Sequence, residues 1–282
     1  MRRKFALLLL IVVPAYAPRY TSENYYPKEN DPEEVGLHMK QADEHYRKGG
    51  QFAREGDWSN AQKHYRLVTA LAPGMVDNYV RLAYALRENG MRTEAMAIAM
   101  HGLREKVNPA LKDRYDLRSL RGEMLVEDGK VAEAAREYRR TRFMMPWLVE
   151  ANTNAGTVLK YGGYLEEAKI AYARAAQLAP KSVEPFAELG ALHARLGARG
   201  PSLDAWSRAA KLAPSDASHA LELGHAFTAV ERHGEAQHAL GRALALAPSH
   251  AAGYFSIGEA WRALRRPRDA LGAFAVAATL AP

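Results

Sequence analysis

Small, apolar and aromatic residues return along this chain at a fixed interval, with polar residues between them. Pro146, Pro180, Pro214, Pro248 and Pro282 stand 34 residues apart. Four of them close one phrase: Gln177-Leu178-Ala179-Pro180, Lys211-Leu212-Ala213-Pro214, Ala245-Leu246-Ala247-Pro248 and Thr279-Leu280-Ala281-Pro282. Ala70-Leu71-Ala72-Pro73 repeats it upstream. Pro73 and Pro146 are 73 residues apart, two periods and five more, so an insertion lies between them, over roughly 108–113.

Inside each period the columns have the spacing of two packed helices. Small residues recur in the first helix at Gly49, Ala83, Gly122, Gly156, Gly190, Gly224 and Gly258. The second helix opens on Ala61, Ala95, Ala134, Ala168, Ser202, Ala236 and Ala270. Four residues later stand Tyr65, Ala99, Tyr138, Tyr172, Trp206, Leu240 and Phe274. A bulky side chain on one helix needs a small residue opposite it, so these columns predict knob-and-hole packing within each pair. Gly56, Gly90, Gly129, Gly163 and Gly197 fall between the helices, where a left-handed residue ends the first of them. Seven pairs are expected, beginning near Ala42, Val76, Tyr115, Val149, Val183, Ala217 and Ala251. Asp31, Pro32, Glu33 and Glu34 make a helix start that runs straight into the first pair.

A helix–turn–helix period of 34 is that of the tetratricopeptide repeat, and the chain resembles that family from about Ala42 to Pro282. The second unit departs from it by closing on Val107, and the third by placing Arg118 and Arg121 in apolar columns. The resemblance implies an all-α, right-handed α-solenoid of about seven repeats. It also implies a concave groove lined by the first helices that holds a segment of a partner protein. That groove would include Tyr46, Tyr84, Arg87, Thr153, Thr157, Tyr161, His225, Phe255 and Arg262. The carboxylate clamp of chaperone-binding members is absent: its places hold Tyr46, Gly50, Arg81, Ser119 and Leu120.

The N-terminus has the pattern of an export signal. Arg2, Arg3 and Lys4 precede an apolar run from Phe5 to Val13, then Pro14 and Ala15-Tyr16-Ala17. Residues 1–17 are therefore expected to be a leader and 18–30 a polar linker. Residues 31–113 form a first segment with two repeats and the insertion, and 114–282 a second with five. Cleavage would leave Tyr16 or Pro18 first; an uncleaved anchor is the alternative, although the run is short for a spanning helix. The expected location is periplasmic or otherwise extracytoplasmic, with membrane contact only if the leader is retained.

Composition narrows the chemistry. The chain has no cysteine, which excludes disulfides and thiolate sites. Its net charge of +7 is spread over the chain with acidic residues interleaved, as on a solvated surface; no nucleic-acid partner is expected. His233 and His238 lack the spacing that sets two imidazoles on one metal. No catalytic constellation, cofactor or metal site is expected. The reading is a non-catalytic scaffold or assembly factor for envelope or membrane-complex proteins. The alternatives are a permanent subunit of a larger complex and the targeting domain of an enzyme whose catalytic part lies elsewhere.

Two local features point to partners. Trp147 stands where other units hold Gly74, Lys181, Ser215 and Ser249, so it is expected to meet the insertion or a partner. From Ala270 to Ala278 the last helix has no polar side chain; Leu271 and Phe274 are expected to be covered by a partner, by a second copy packed end to end, or by a continuing chain. Arg136, Arg139, Arg140 and Arg142 crowd the second helix of the third unit, and Glu133 and Glu137 lie within pairing distance of them.

Overall fold

The computed structural model describes residues 32–104, 111–249 and 251–280. The leader, the linker, Asp31 and residues 105–110 lie outside it, as do the side chains of 32–35. Every element among the described residues is an α-helix. In chain order they are α1 (Pro32–Arg54), α2 (Trp58–Leu71), α3 (Val76–Glu88), α4 (Arg92–Arg104), α5 (Leu111–Glu127), α6 (Val131–Met144), α7 (Val149–Tyr161), α8 (Leu165–Leu178), α9 (Glu184–Arg195), α10 (Arg199–Leu212), α11 (Ala217–Ala229), α12 (His233–Leu246), α13 (Ala251–Ala263) and α14 (Pro267–Leu280). α1 is continuous from Pro32 into the first pair. Leu111, Lys112 and Asp113, expected in the insertion, are instead the first turn of α5, which runs 17 residues.

The helices fall into two compact units, dividing between Pro109 and Ala110. α1 to α4 make the first and α5 to α14 the second. Within each unit a helix packs on the one before it and the one after it, as in an all-α solenoid.

The columns meet as their sizes require. A methyl group built on Gly122, Gly190 or Gly258 would fall 2.6 Å from the ring of Tyr138, Trp206 or Phe274 respectively. Tyr65, Tyr172 and Leu240 close on Gly49, Gly156 and Gly224 in the same way. The second pair keeps the sum by trading both partners: Ala83 and Ala99 are both fully buried where the others set glycine against a large side chain.

A further column ties one pair to the next. Arg174 and Arg208 reach back to the carbonyls of Pro146 and Pro180 at 3.4 and 3.3 Å, and Arg242 reaches that of Pro214. These guanidinium groups satisfy carbonyls in the loops between pairs that no helix ladder uses.

The turn glycines adopt positive φ, from 73° at Gly197 to 82° at Gly163. One period and two periods beyond Gly197 the column continues as Glu231 at φ 63° and Arg265 at φ 59°. A side chain there is strained by roughly 1–2 kcal/mol. Glu231→Gly and Arg265→Gly are each expected to stabilise the second unit, by up to about 1 kcal/mol after glycine's entropy is counted. Urea denaturation of the two variants checks this.

Candidate protein-binding surfaces

In the second unit, the expected groove residues lie on α7, α11 and α13; Thr153 departs from expectation, because it is buried. Thr157 shares a 2.9 Å hydrogen bond with the Tyr172 hydroxyl, and Thr153 accepts from Thr157 through its carbonyl at 3.1 Å. Tyr161 ends α7 with its ring exposed. Lys160 pairs with Glu188. Burial, and then neighbouring Glu188, raise the Glu184 carboxyl above its ordinary value. His225 Nε2 lies 2.7 Å from Ser256 Oγ, joining α11 to α13. Phe255 is exposed, and its ring meets Phe274 at 5.4 Å between centroids. Arg262 donates to Glu259 at 2.5 Å and remains mostly exposed. This face thus offers aromatic surfaces at α7 and α13 with charged groups between them.

In the first unit, Tyr84 packs edge-on to Trp58 at 5.6 Å and Arg87 lies 5.6 Å over the Tyr84 ring. Tyr46 departs from expectation. It is buried, donates to Asp77 Oδ2 at 2.9 Å, and has the Arg81 guanidinium over its ring at 4.6 Å. It binds α1 to α3 and offers no surface to a partner. The sequence showed an aromatic in a groove column but not the Asp77–Arg81 pair that draws it in.

The interior positions between the two helices of a pair take a different chemistry from pair to pair. In the fifth pair these columns hold Phe186, packed against the cluster of Leu203, Trp206 and Ala209, and buried Ala205. In the third pair the same columns hold Arg118 and Glu137, which meet at 2.7 Å; Arg121 and Arg140 donate to the other Glu137 oxygen, each at 2.9 Å. Glu137 is only 4% exposed. Arg118 and Arg121, misfits by column, are thus answered by one buried carboxylate.

In the first pair the columns hold His45 and His64, whose Nδ1 atoms are 3.0 Å apart, so only one of the two can carry the bridging proton. His64 also stacks on Phe52 at 5.5 Å. Burial, then the charge of His45 and Lys48, hold the His64 imidazole below its ordinary 6.5, with Lys63 adding to this and Glu44 opposing it. The unfolded chain therefore takes up a proton at higher pH than the folded one. The stability of the first unit is expected to be full above the unfolded value near 6.5 and to fall as pH drops toward the lowered folded value. The double variant His45→Tyr, His64→Ile, which copies Tyr79 and Ile98 of the second pair, should remove that slope in thermal scans across this range.

The ends of helices expose large apolar groups. Trp147, in the loop after α6, is 57% exposed, and Phe143, in the last turn of α6, is 86% exposed. Phe143 was not singled out by sequence; the signal was there, because its column otherwise holds Gln177, Lys211, Ala245 and Thr279. On α14, Phe274 is half-buried against Gly258 and Phe255, so it is chiefly the core knob of its own pair. Leu271 is 70% exposed, whereas its counterpart Leu203 in the fifth pair is 9% exposed within the cluster that includes Ala226 of α11. Val276 stands in the column of Arg174, Arg208 and Arg242 and cannot make their carbonyl bond.

Among the described residues, no group of three or more His, Asp or Glu could hold a metal ion, and no helix is long and apolar enough to cross a membrane.

Residues 149–182, the α7–α8 pair with its closing loop, match the family model described as tetratricopeptide repeat. No curated protein matches the chain. Among solved structures, MamA from Desulfovibrio magneticus superposes with a TM-score of 0.57 at 19% identity, over 61% of this chain and 97% of that one. A tetratricopeptide repeat protein from Parabacteroides merdae gives 0.56 at 16% identity, over 86% of this chain and 94% of that one. YrrB, described as a tetratricopeptide protein with an unusual peptide-binding site, gives 0.55 at 18% identity, over 61% and 89%. At these identities the likeness is one of fold.

Proposed function

We propose that this chain, an α-solenoid of tetratricopeptide repeats, is a non-catalytic scaffold that holds a segment of a partner protein on the first-helix face of its second unit. The observation that supports this most is the pairing on that face of exposed Tyr161 and Phe255 with anchored polar groups between them, Thr157, Lys160 and His225. Aromatic rings of this kind supply much of the energy of a protein interface, while hydrogen-bonding groups set its register. The peptide-binding site named for YrrB fits the same use of the fold. The leader-like pattern of residues 1–17 supports an envelope location, with envelope or membrane-complex proteins as partners. A permanent place in a larger complex is the second reading, favoured by the exposed apolar positions of α14, which a neighbouring subunit or second copy would cover.

The test is capture of envelope proteins by the full chain carrying a photo-cross-linker at position 161 or 255. The same partner is expected at both sites. Tyr161→Ala and Phe255→Ala should each weaken its retention by about tenfold, the effect of losing a single good anchor, with an unchanged melting temperature. Retention unaffected by both substitutions would overturn the reading. A partner that high salt cannot remove favours the permanent subunit.

A further inference from the structure

The third pair has a surplus of positive charge that its own packing does not require. Three guanidinium groups, Arg118, Arg121 and Arg140, converge on the single carboxylate of Glu137. One carboxylate balances one of them. Along the second unit the Arg118 column otherwise holds Asn152, Phe186, Ala220 and Tyr254, the Arg121 column Ala155, Leu189, Leu223 and Ile257, and the Glu137 column only alanine. Well-packed apolar side chains at such positions are as stable as a buried ion cluster or more so. The Nε atoms of Arg118 and Arg121 are buried and have no hydrogen-bond partner among the described residues.

The surplus lies beside an apolar surface. Arg118, Arg139, Arg140, Phe143 and Met144 line a shallow cleft of about 530 Å³ at the C-terminal end of α6. Arg139 is already engaged, through two hydrogen bonds of 2.7 and 2.8 Å to Glu167. Arg118 and Arg140 are the cations of the cleft that share their counter-ion. Phe143 rises from its edge almost fully exposed, and Trp147 follows four residues on.

We propose that this cleft docks an acidic segment of a partner protein, taking a carboxylate between Arg118 and Arg140 and an apolar side chain on Phe143. Guanidinium groups match carboxylates in geometry as well as charge, and a ring beside them supplies the desolvated contact that a lone ion pair lacks. A short acidic segment fits better than a polyanion. Glu167 sits at the rim with Arg139, and a polyanion gains its affinity from a long row of unpaired cations. The site is separate from the first-helix face, and the proposal rests on the protein-scaffold reading only for the class of its occupant.

The experiment uses the full chain and fluorescein-labelled short peptides of Asp and Glu with one central Phe. Control peptides replace that Phe by Ser, or the acidic residues by Lys. Fluorescence anisotropy should show binding of the acidic Phe peptide, weakening with added salt, and at least tenfold weaker binding of either control. Phe143→Ser, at an exposed position, should reduce affinity about tenfold with melting temperature unchanged. Arg140→Gln, which leaves Arg118 and Arg121 on Glu137 and adds no negative charge beside it, should reduce affinity about tenfold with a melting temperature lowered only slightly, while Tyr161→Ala and Phe255→Ala leave it as it was. The proposal is overturned if the acidic Phe peptide does not bind, or binds both cleft variants as well as the parent. It also falls if the first-helix substitutions abolish that binding, or if phosphatidylglycerol vesicles or a single-stranded oligonucleotide bind the chain more tightly than the peptide. Cross-linkers at positions 161 and 255 that capture no partner, with peptide binding intact, would count against the scaffold face alone.

Discussion

Glu137→Ala should destabilise the α5–α6 pair by about 2–4 kcal/mol, below the full range for breaking a buried ion pair because Arg118 and Arg121 keep some access to water. The carboxylate is nearly fully buried and accepts from three guanidinium groups on two helices. Removing it leaves like charges facing one another in a partly dry space. The loss should appear in urea denaturation, and in hydrogen exchange as faster opening of α5 and α6 relative to α9 to α12. The triple variant Arg118→Phe, Arg121→Leu, Glu137→Ala copies Phe186, Leu189 and Ala205 of the fifth pair. It should regain at least the parent stability, because apolar packing replaces the buried members of the cluster together and leaves only Arg140, which is mostly exposed. If Glu137→Ala proves neutral, the arginines are satisfied by water and the cluster is not structural.

Gly190→Ala should cost a net of about 1–2 kcal/mol, although alanine is ordinarily the better helix former by about 1 kcal/mol. The added methyl group would lie 2.6 to 2.7 Å from three atoms of the Trp206 indole, a rigid ring that cannot bend away. A double-mutant cycle separates the clash from the helix itself. With Trp206→Ala in place, Gly190→Ala should reverse sign and stabilise by up to about 1 kcal/mol. The second pair already carries such a combination in the same columns, Ala83 and Ala99, both fully buried. A Gly190→Ala penalty that persists without the indole would mean the backbone, not the ring, demands glycine.

The repeat architecture is written in the chain's periodicity. A period of 34 places turns, small residues and knobs in register, and each unit meets only its neighbours, so local pattern and tertiary packing ask for the same residues. Helix order, the Gly–aromatic contacts and the left-handed turn glycines were legible for that reason. Aromatic positions on the first-helix face could be named from their columns, and the structure places Tyr161 and Phe255 in the open.

Packing between helices settled the outcome where a residue broke its column. Arg118 and Arg121 looked like misfits until Glu137, 19 and 16 residues further on, was seen to close on both. Tyr46 was drawn inside by Asp77 and Arg81 from the next pair. Glu231 and Arg265 keep the turn of the glycines they replace, because the helices on either side hold the backbone to it at a local cost. Exposure at Phe143 and Leu271 likewise depends on what lies across from them. A column records the side chain that a position usually carries; a neighbouring helix settles whether that side chain finds a partner, an opposite charge or water.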